Sequence, residues 1–371
     1  MRVGCILLLN LFAVLAQAFS VTDLEVERRK IGAPGIGAAI VKPQFVEVWT
    51  TGIRKMGTDI KILNSDKFHL GSNTKALTAT LLAQLIEAGS LRWESTLQEI
   101  FPEISVRSEF LNVTVEMLAA HRSGITSDMG AVENGQLWSW MWQNNSTPTI
   151  SQRYEISRRL LAFPAQYKPG TRYLYSNWNY IIIGAVLEKF SNVSWEELMQ
   201  QKIFAPLNMA SCGFGAAGNP ALATPDQPWP HVLQDGVFIS VPSAGALDNP
   251  QSFGPAGTVH CSLGDWSKFL QVHLNGFRQR NTPILRAVSF AKLHTPYPGQ
   301  EYTPGGWLSF SMGNQMVLQH TGSNTMNFAN VLLFPAKDIG FVATTNAGDA
   351  GTAMFDFTDA VIGALMESVS F

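Results

Sequence analysis

Between Ala76 and Ala88 apolar residues recur at helical spacing: Leu77, Leu81 and Leu85 form one row, and Leu82 and Ile86 widen it. This pattern predicts a helix with a broad buried face, and Gly89 stands where a left-handed cap would end it. Upstream the period changes. Ile36 to Val41 and Phe45 to Ile53 alternate and are separated by Lys42-Pro43-Gln44, which predicts a strand pair joined by a short turn. Ahead of them, Thr22 to Lys30 reads as a charged surface helix. Near the other end Gly306 to Phe310, Gln315 to Gln319, Phe328 to Phe334 and Gly340 to Thr345 read as successive short strands, followed by a helix over Ala353 to Met366. The long middle from Leu91 to Thr303 mixes Pro- and Gly-rich loops with helix candidates at Ile156–Ala162 and Ile181–Lys189. No repeat or long linker divides it. Strands at both ends and helices between them predict one sheet completed by both ends of the chain. It would draw on about 33–70 and 304–347, with the helical region over about 91–303.

The first residues carry a different signal. Arg2 precedes an apolar run from Ile6 to Leu15, broken by Asn10, and Ala16-Gln17-Ala18 follows. That is the pattern of a cleaved export signal over residues 1–18, and the run is too short to span a bilayer comfortably. The expected mature chain, 19–371, is then secreted, or periplasmic in a bacterium, with no membrane span. Removal of Cys5 would leave Cys212 and Cys261, as one disulfide or as two buried thiols. Sequons at Asn112, Asn144, Asn145 and Asn192 are glycosylation candidates in a eukaryotic source. With 46% hydrophobic and 15% charged residues the chain is globular, and its net charge of −2 gives no basis for nucleic-acid binding. The sequence does not set the oligomeric state.

The candidate chemistry begins at Ser72 and Lys75. Three residues apart on a helix, they share a face, and an unprotonated lysine can take the proton of a serine hydroxyl. The lysine must first be biased toward its neutral form, which burial and a helix N-terminus both favour. The spacing alone is weak evidence, since Ser289 and Lys292 repeat it. The first pair, however, opens the apolar helix, and partners follow it. Tyr175 in Tyr175-Ser176-Asn177 offers a phenol that could act as a phenolate base and then protonate a leaving group. Asn177 offers a donor and an acceptor to the lysine and the substrate. His320-Thr321-Gly322-Ser323 follows an apolar strand, where a glycine lets a substrate lie close to the backbone. The amides of Ser72 and Ser323 would then form a two-donor oxyanion pocket. No histidine spacing suits a metal, and no Gly-x-Ser-x-Gly elbow occurs.

In order and rough spacing, Ser72-x-x-Lys75, Tyr175-x-Asn177 and His320-Thr321-Gly322 resemble the serine β-lactamase and penicillin-binding-protein superfamily. The likeness is to its class C branch, which includes esterases and D-amino-acid peptidases. Ala120-His121-Arg122-Ser123-Gly124 and Asn179-Tyr180 with Ile181-Ile182-Ile183-Gly184 agree with it. The resemblance covers roughly Ala33 to Asn346. It implies an α+β fold, an antiparallel sheet flanked by helices with a large mostly helical insertion. It also implies a hydrolase without cofactor or metal, acting on a small-molecule or peptide substrate through an acyl-enzyme on Ser72. A D-amino-acid peptidase, a β-lactamase proper and an inactive binding relative are the alternatives. Two departures stand out. His320 replaces a lysine of the class C β-lactamases, and a histidine largely uncharged at neutral pH would hold a substrate carboxylate less firmly. Arg122 stands in a segment that is otherwise neutral.

Overall fold

The computed structural model describes residues 18–243, 247–349, 351–369 and 371. The apolar run expected to be an export signal lies outside them. Strands are β1 (Gly35–Lys42), β2 (Phe45–Gly52), β3 (Lys67–His69), β4 (Gly213–Phe214), β5 (His231–Gln234), β6 (Val237–Ser240), β7 (Val259–Ser262), β8 (Leu308–Met312), β9 (Gln315–Ser323), β10 (Phe328–Phe334) and β11 (Ile339–Thr345). The main sheet is antiparallel with order β2-β1-β11-β10-β9-β8. Strand β1 from the start of the chain pairs with β11 from its end, Ile36 opposite Thr345. The expected sheet is therefore closed by both ends of the chain. Only part of the 33–70 stretch enters it, because β3 turns away to pair with β7 in a small β3-β7-β4 sheet.

Alternation along β1 sorts its side chains between two apolar layers. Ile36, Ala38 and Ile40 face a core shared with Leu24 of the Val21–Ile31 helix and with Val361 and Leu365 of the Ala353–Ser368 helix. Ala39 and Val41 face the larger core built with Leu77, Leu82, Trp178 and Trp266. The sheet is thus covered by the terminal helices on one face and by the helical region on the other. Central in that region is the Thr74–Glu87 helix, buried along its first ten residues from Thr74 to Ala83.

Several elements differ from expectation. The helix expected from Ile156 begins at Thr149, and its polar first half hides the pattern because Gln152 and Arg153 are buried there. A Leu263–Phe277 helix was not expected, although Leu263, Trp266, Phe269, Leu270 and Leu274 repeat at helical spacing and Ser262 caps Asp265. The β5–β6 hairpin turns on Asp235 and Gly236, at φ 50° and 77°, the dipeptide such turns favour. Cys212 and Cys261 form a disulfide, which settles the open choice and ties the start of β4 to β7.

Candidate active site

Ser72 lies where β3 leads into the long helix. Residues Gly71–Asn73 make a single tight turn, with Gly71 in the left-handed region at φ 51°. A Cβ on Gly71 would fall 2.4 Å from the Ser323 nitrogen, and one on Gly322 would fall 1.9 Å from the Leu70 oxygen. Glycine at both positions is what lets β9 lie directly against the turn. Asn73 fastens the two, donating to the oxygens of Leu70 and Ala329. Ser72, Gly322 and Ser323, expected to share one site, are brought together by this contact; Ser323 is exposed and Ser72 partly so.

Lys75 is fully buried. Its Nζ lies 3.0 Å from Ser72 Oγ, 2.8 Å from Asn177 Oδ1 and 2.6 Å from the Ala256 carbonyl. None of these is a carboxylate, and burial drives the amine well below its ordinary pKa. A neutral amine has two N–H bonds and one lone pair. The carbonyl of Ala256 and Oδ1 of Asn177 only accept, so they take the two N–H bonds and the lone pair faces the Ser72 hydroxyl. On the other side Tyr175 Oη donates to Ser72 Oγ at 2.8 Å. Burial raises this phenol above its ordinary value, with the Ser72 hydrogen bond opposing. The phenolate expected of Tyr175 is thus disfavoured at rest: the phenol keeps its proton and Lys75 has the free lone pair.

Aromatic rings floor the site. His121 lies 4.4 Å from the ring centre of Tyr175 and 4.8 Å from that of Tyr302. It is buried at φ 55°, and its Nδ1 meets the Ser176 amide and Asn179 Nδ2. Burial holds its pKa well down. His320, expected to face a substrate, is instead buried in this cluster. Its Nε2 meets Tyr302 Oη at 3.1 Å and its Nδ1 the adjoining Thr321 carbonyl at 2.5 Å. Burial lowers its pKa to about 3. Uncharged and engaged at both nitrogens, it has little to offer a carboxylate. Arg122 has a structural place: its guanidinium donates to the Gly170 carbonyl and lies over the Tyr297 ring.

The competing pair is dispersed. Ser289 bonds Glu87 and Lys292 bonds Glu116, so neither hydroxyl nor amine is directed at the other. Among the described residues no cluster of potential ligands could hold a metal ion. Asn112 and Asn192 are exposed, whereas Asn144 donates to the Trp140 carbonyl and Asn145 accepts from the Gln251 amide.

The Beta-lactamase family model matches residues 21–361. The chain belongs to the beta-lactamase family. It is 22% identical over 352 residues to Penicillin-binding protein 4 of Amycolatopsis lactamdurans, covering 90% of this chain and 86% of that one. It is 25% identical to an unguisins hydrolase of Aspergillus violaceofuscus, covering 85% of this chain and 58% of the relative, so it spans little more than half of that protein. Among solved structures, the D-amino acid amidase of Ochrobactrum anthropi has a TM-score of 0.70 at 20% identity, covering 94% of this chain and 95% of that one. The D-alanine carboxypeptidase AmpC of Burkholderia cenocepacia has 0.70 at 21%, covering 93% and 98%. These likenesses show the fold, which is the expected α+β one. As a member of the beta-lactamase family, the chain is a hydrolase.

Three contributors to this beta-lactamase-family site were not found from sequence. Ala256 acts through its backbone, so no side-chain motif announces it. Tyr302 stands alone in sequence, and only the fold brings it to His320. Arg153, fully buried, donates to the carbonyls of Gln251 and Ser252 just ahead of Ala256 and is held by Glu188 and Glu196.

Proposed function

We propose that this chain is an exported serine hydrolase that cleaves an ester or amide through an acyl-enzyme on Ser72. The observation that carries the reading is the position of the Ser72 hydroxyl between a buried amine without a counter-ion and a protonated phenol. Ser72 Oγ attacks the carbonyl carbon while its proton passes to Lys75 Nζ, and the amides of Ser72 and Ser323 hold the developing oxyanion. Tyr175 gives its proton to the departing oxygen or nitrogen and is restored from Lys75. Water then attacks the acyl carbon, and its proton passes to the same pair and on to Ser72 Oγ as the acyl carbon–oxygen bond breaks. The acid product leaves with the Ser72 hydroxyl restored. Asn177 orients Lys75, Thr321 and Gly322 line the β9 edge, and His320 acts behind it through Tyr302. No cofactor enters the scheme.

The neutral His320 favours substrates without a carboxylate beside the scissile bond, hence simple esters or amides over a β-lactam or a peptide ending in a free carboxylate. A D-amino-acid amide is the second reading, suggested by the D-amino acid amidase neighbour. Export is supported by the leader pattern and by the disulfide, which persists in oxidising compartments. Among the described residues no helix is long and apolar enough to cross a membrane. Residues 19–371 would act as one hydrolase domain, with sugar expected first at exposed Asn112 and Asn192.

A fluorophosphonate probe tests the nucleophile. Labelling should vanish in Ser72→Ala and persist in Ser289→Ala; a labelled Ser72→Ala protein would overturn the assignment. A panel of short-chain esters, D-amino-acid amides and a chromogenic cephalosporin then separates the substrate classes.

A further inference from the structure

Directly behind the Ser72 turn lies a buried histidine–carboxylate pair that the chemistry above does not use. His69 closes β3 and Asp248 precedes Asn249-Pro250; both are buried, with Nε2 of His69 3.0 Å from Oδ2 of Asp248. The other ring nitrogen, Nδ1, accepts the Gly71 N–H at 3.1 Å. A nitrogen that accepts has no proton of its own, so the ring carries it on Nε2 and donates to Asp248. Oδ1 of Asp248 accepts from Asn324 Nδ2 at 3.0 Å. Asn324 Oδ1 in turn accepts the backbone N–H groups of Met326 and Asn327 at 3.2 and 2.9 Å. One connected path therefore runs from Gly71 through His69, Asp248 and Asn324 into the turn after β9. Its ends are the neighbours in sequence of Ser72 and Ser323.

We infer that His69 and Asp248 are positioning residues that fix the spacing of the Ser72 and Ser323 amides, a role that rests on Ser72 being the nucleophile. The two backbone segments touch but belong to different elements, and Gly71 is held in a conformation that leaves its chain freedom to turn. A strap made on one side to the Gly71 amide and on the other to Asn324 restrains both donors at once. Apolar side chains could fill the same space without desolvating a carboxylate, so packing alone does not call for the pair. An oxyanion pocket depends on donor placement and acts on the transition state more than on the bound substrate. The strap should therefore show in kcat and leave KM nearly unchanged.

The test compares His69→Leu, which removes donor and acceptor, with His69→Gln, whose amide can accept from Gly71 and donate to Asp248. On an ester that the wild type turns over, His69→Leu should lose about 10²-fold in kcat with KM within about threefold, and His69→Gln should recover most of the loss. Hydrogen exchange at the Gly71 amide should accelerate in His69→Leu and not in His69→Gln, read against a matched melting temperature. A folded His69→Leu protein with wild-type kcat, a loss carried by KM, or a His69→Gln protein as impaired as His69→Leu would each overturn the inference. A wild type that neither labels at Ser72 nor turns over any substrate overturns the nucleophile reading and the catalytic role of the strap together. Exchange at Gly71 then still reports whether His69 holds that backbone.

Discussion

Lys75→Met asks whether the buried amine is neutral in the folded protein. Methionine keeps the length and apolar stem of the side chain and removes the amine. A lysine kept neutral at pH 7 has lost a proton that the unfolded chain retains, which costs folding about 1.4 kcal/mol for each unit between pH 7 and the ordinary value near 10.4. The total is roughly 4–5 kcal/mol. Against it stand the hydrogen bonds to Ala256 and Asn177, worth about 0.5–1.5 kcal/mol each, and the penalty of leaving a buried carbonyl unpaired, about 1–3 kcal/mol. Together these come to about 2–6 kcal/mol, so the two sides nearly balance near pH 7. The variant should therefore be inactive yet about as stable as the wild type near pH 7, in spite of losing two buried hydrogen bonds. The sign of the pH dependence follows from the direction of the shift. Below the ordinary lysine value the unfolded chain binds the extra proton, so wild-type stability rises with pH through that interval. The stability of the methionine variant relative to the wild type should therefore fall by about 1.4 kcal/mol per pH unit from about pH 7 toward pH 10. Urea unfolding followed by tryptophan fluorescence, with both proteins measured at matched pH, reads the difference, and the other titrating groups cancel in it. Parallel stability curves would mean that the amine is charged in the fold, and Lys75 could not be the resting base.

Tyr175→Phe removes the hydroxyl that touches Ser72 and should lower kcat by about 10²–10⁴-fold; steady-state kinetics on a short ester checks this, and a loss under tenfold would exclude Tyr175 as the proton carrier. Gly322→Ala would set a methyl 1.9 Å from the Leu70 oxygen, so β9 must move off the Ser72 turn; fluorophosphonate labelling should slow markedly, and an unchanged rate would mean that this contact does not shape the site. Reduction of Cys212–Cys261, which closes a loop of 49 residues in sequence separation, should remove roughly 4 kcal/mol by the chain-entropy argument, seen as a lower urea midpoint with dithiothreitol than without.

The parts of the fold legible in sequence were those where one periodicity ran undisturbed. The Leu77–Leu81–Leu85 row sits on a helix buried on several sides, and the β1 and β10 runs are central strands whose neighbours cover both faces. What escaped was structure whose reason lies far away in sequence. Arg153 in an apolar position makes sense only beside Glu188 and Glu196, and the three-residue strand β3 is defined by its pairing with β7, nearly two hundred residues on. The site divides in the same way. Ser72, Lys75, Tyr175 and Asn177 announce themselves as side chains at recognisable spacings, whereas the Ala256 carbonyl and the contact of Gly71 with Ser323 are properties of backbone. Histidine at 320 shows the limit most directly: its identity was plain, but its direction was not, and direction is what removes it from substrate contact.

That limit bears on how the amine at 75 becomes a base. Nothing in Ser72-x-x-Lys75 lowers a lysine pKa by itself; in the pair of the same spacing, Ser289 and Lys292, each side chain finds an acidic partner instead. The difference is made by what is withheld from Lys75. The helix around it presents Ala76, Leu77 and Thr78 to the core, and the turn from Gly254 to Gly257 closes over it with a carbonyl where a carboxylate would have kept it charged. Arg153 then matters at a distance, because it holds the carbonyls of Gln251 and Ser252 that lead into this turn. A carboxylate introduced at Asn177, in contact with the amine, would reverse the arrangement without moving any backbone. Asn177→Asp should therefore keep the fold, return Lys75 to the charged state and shift the rise of kcat/KM with pH to higher pH. An unaltered pH profile would show that the charge on Lys75 is not what governs the reaction.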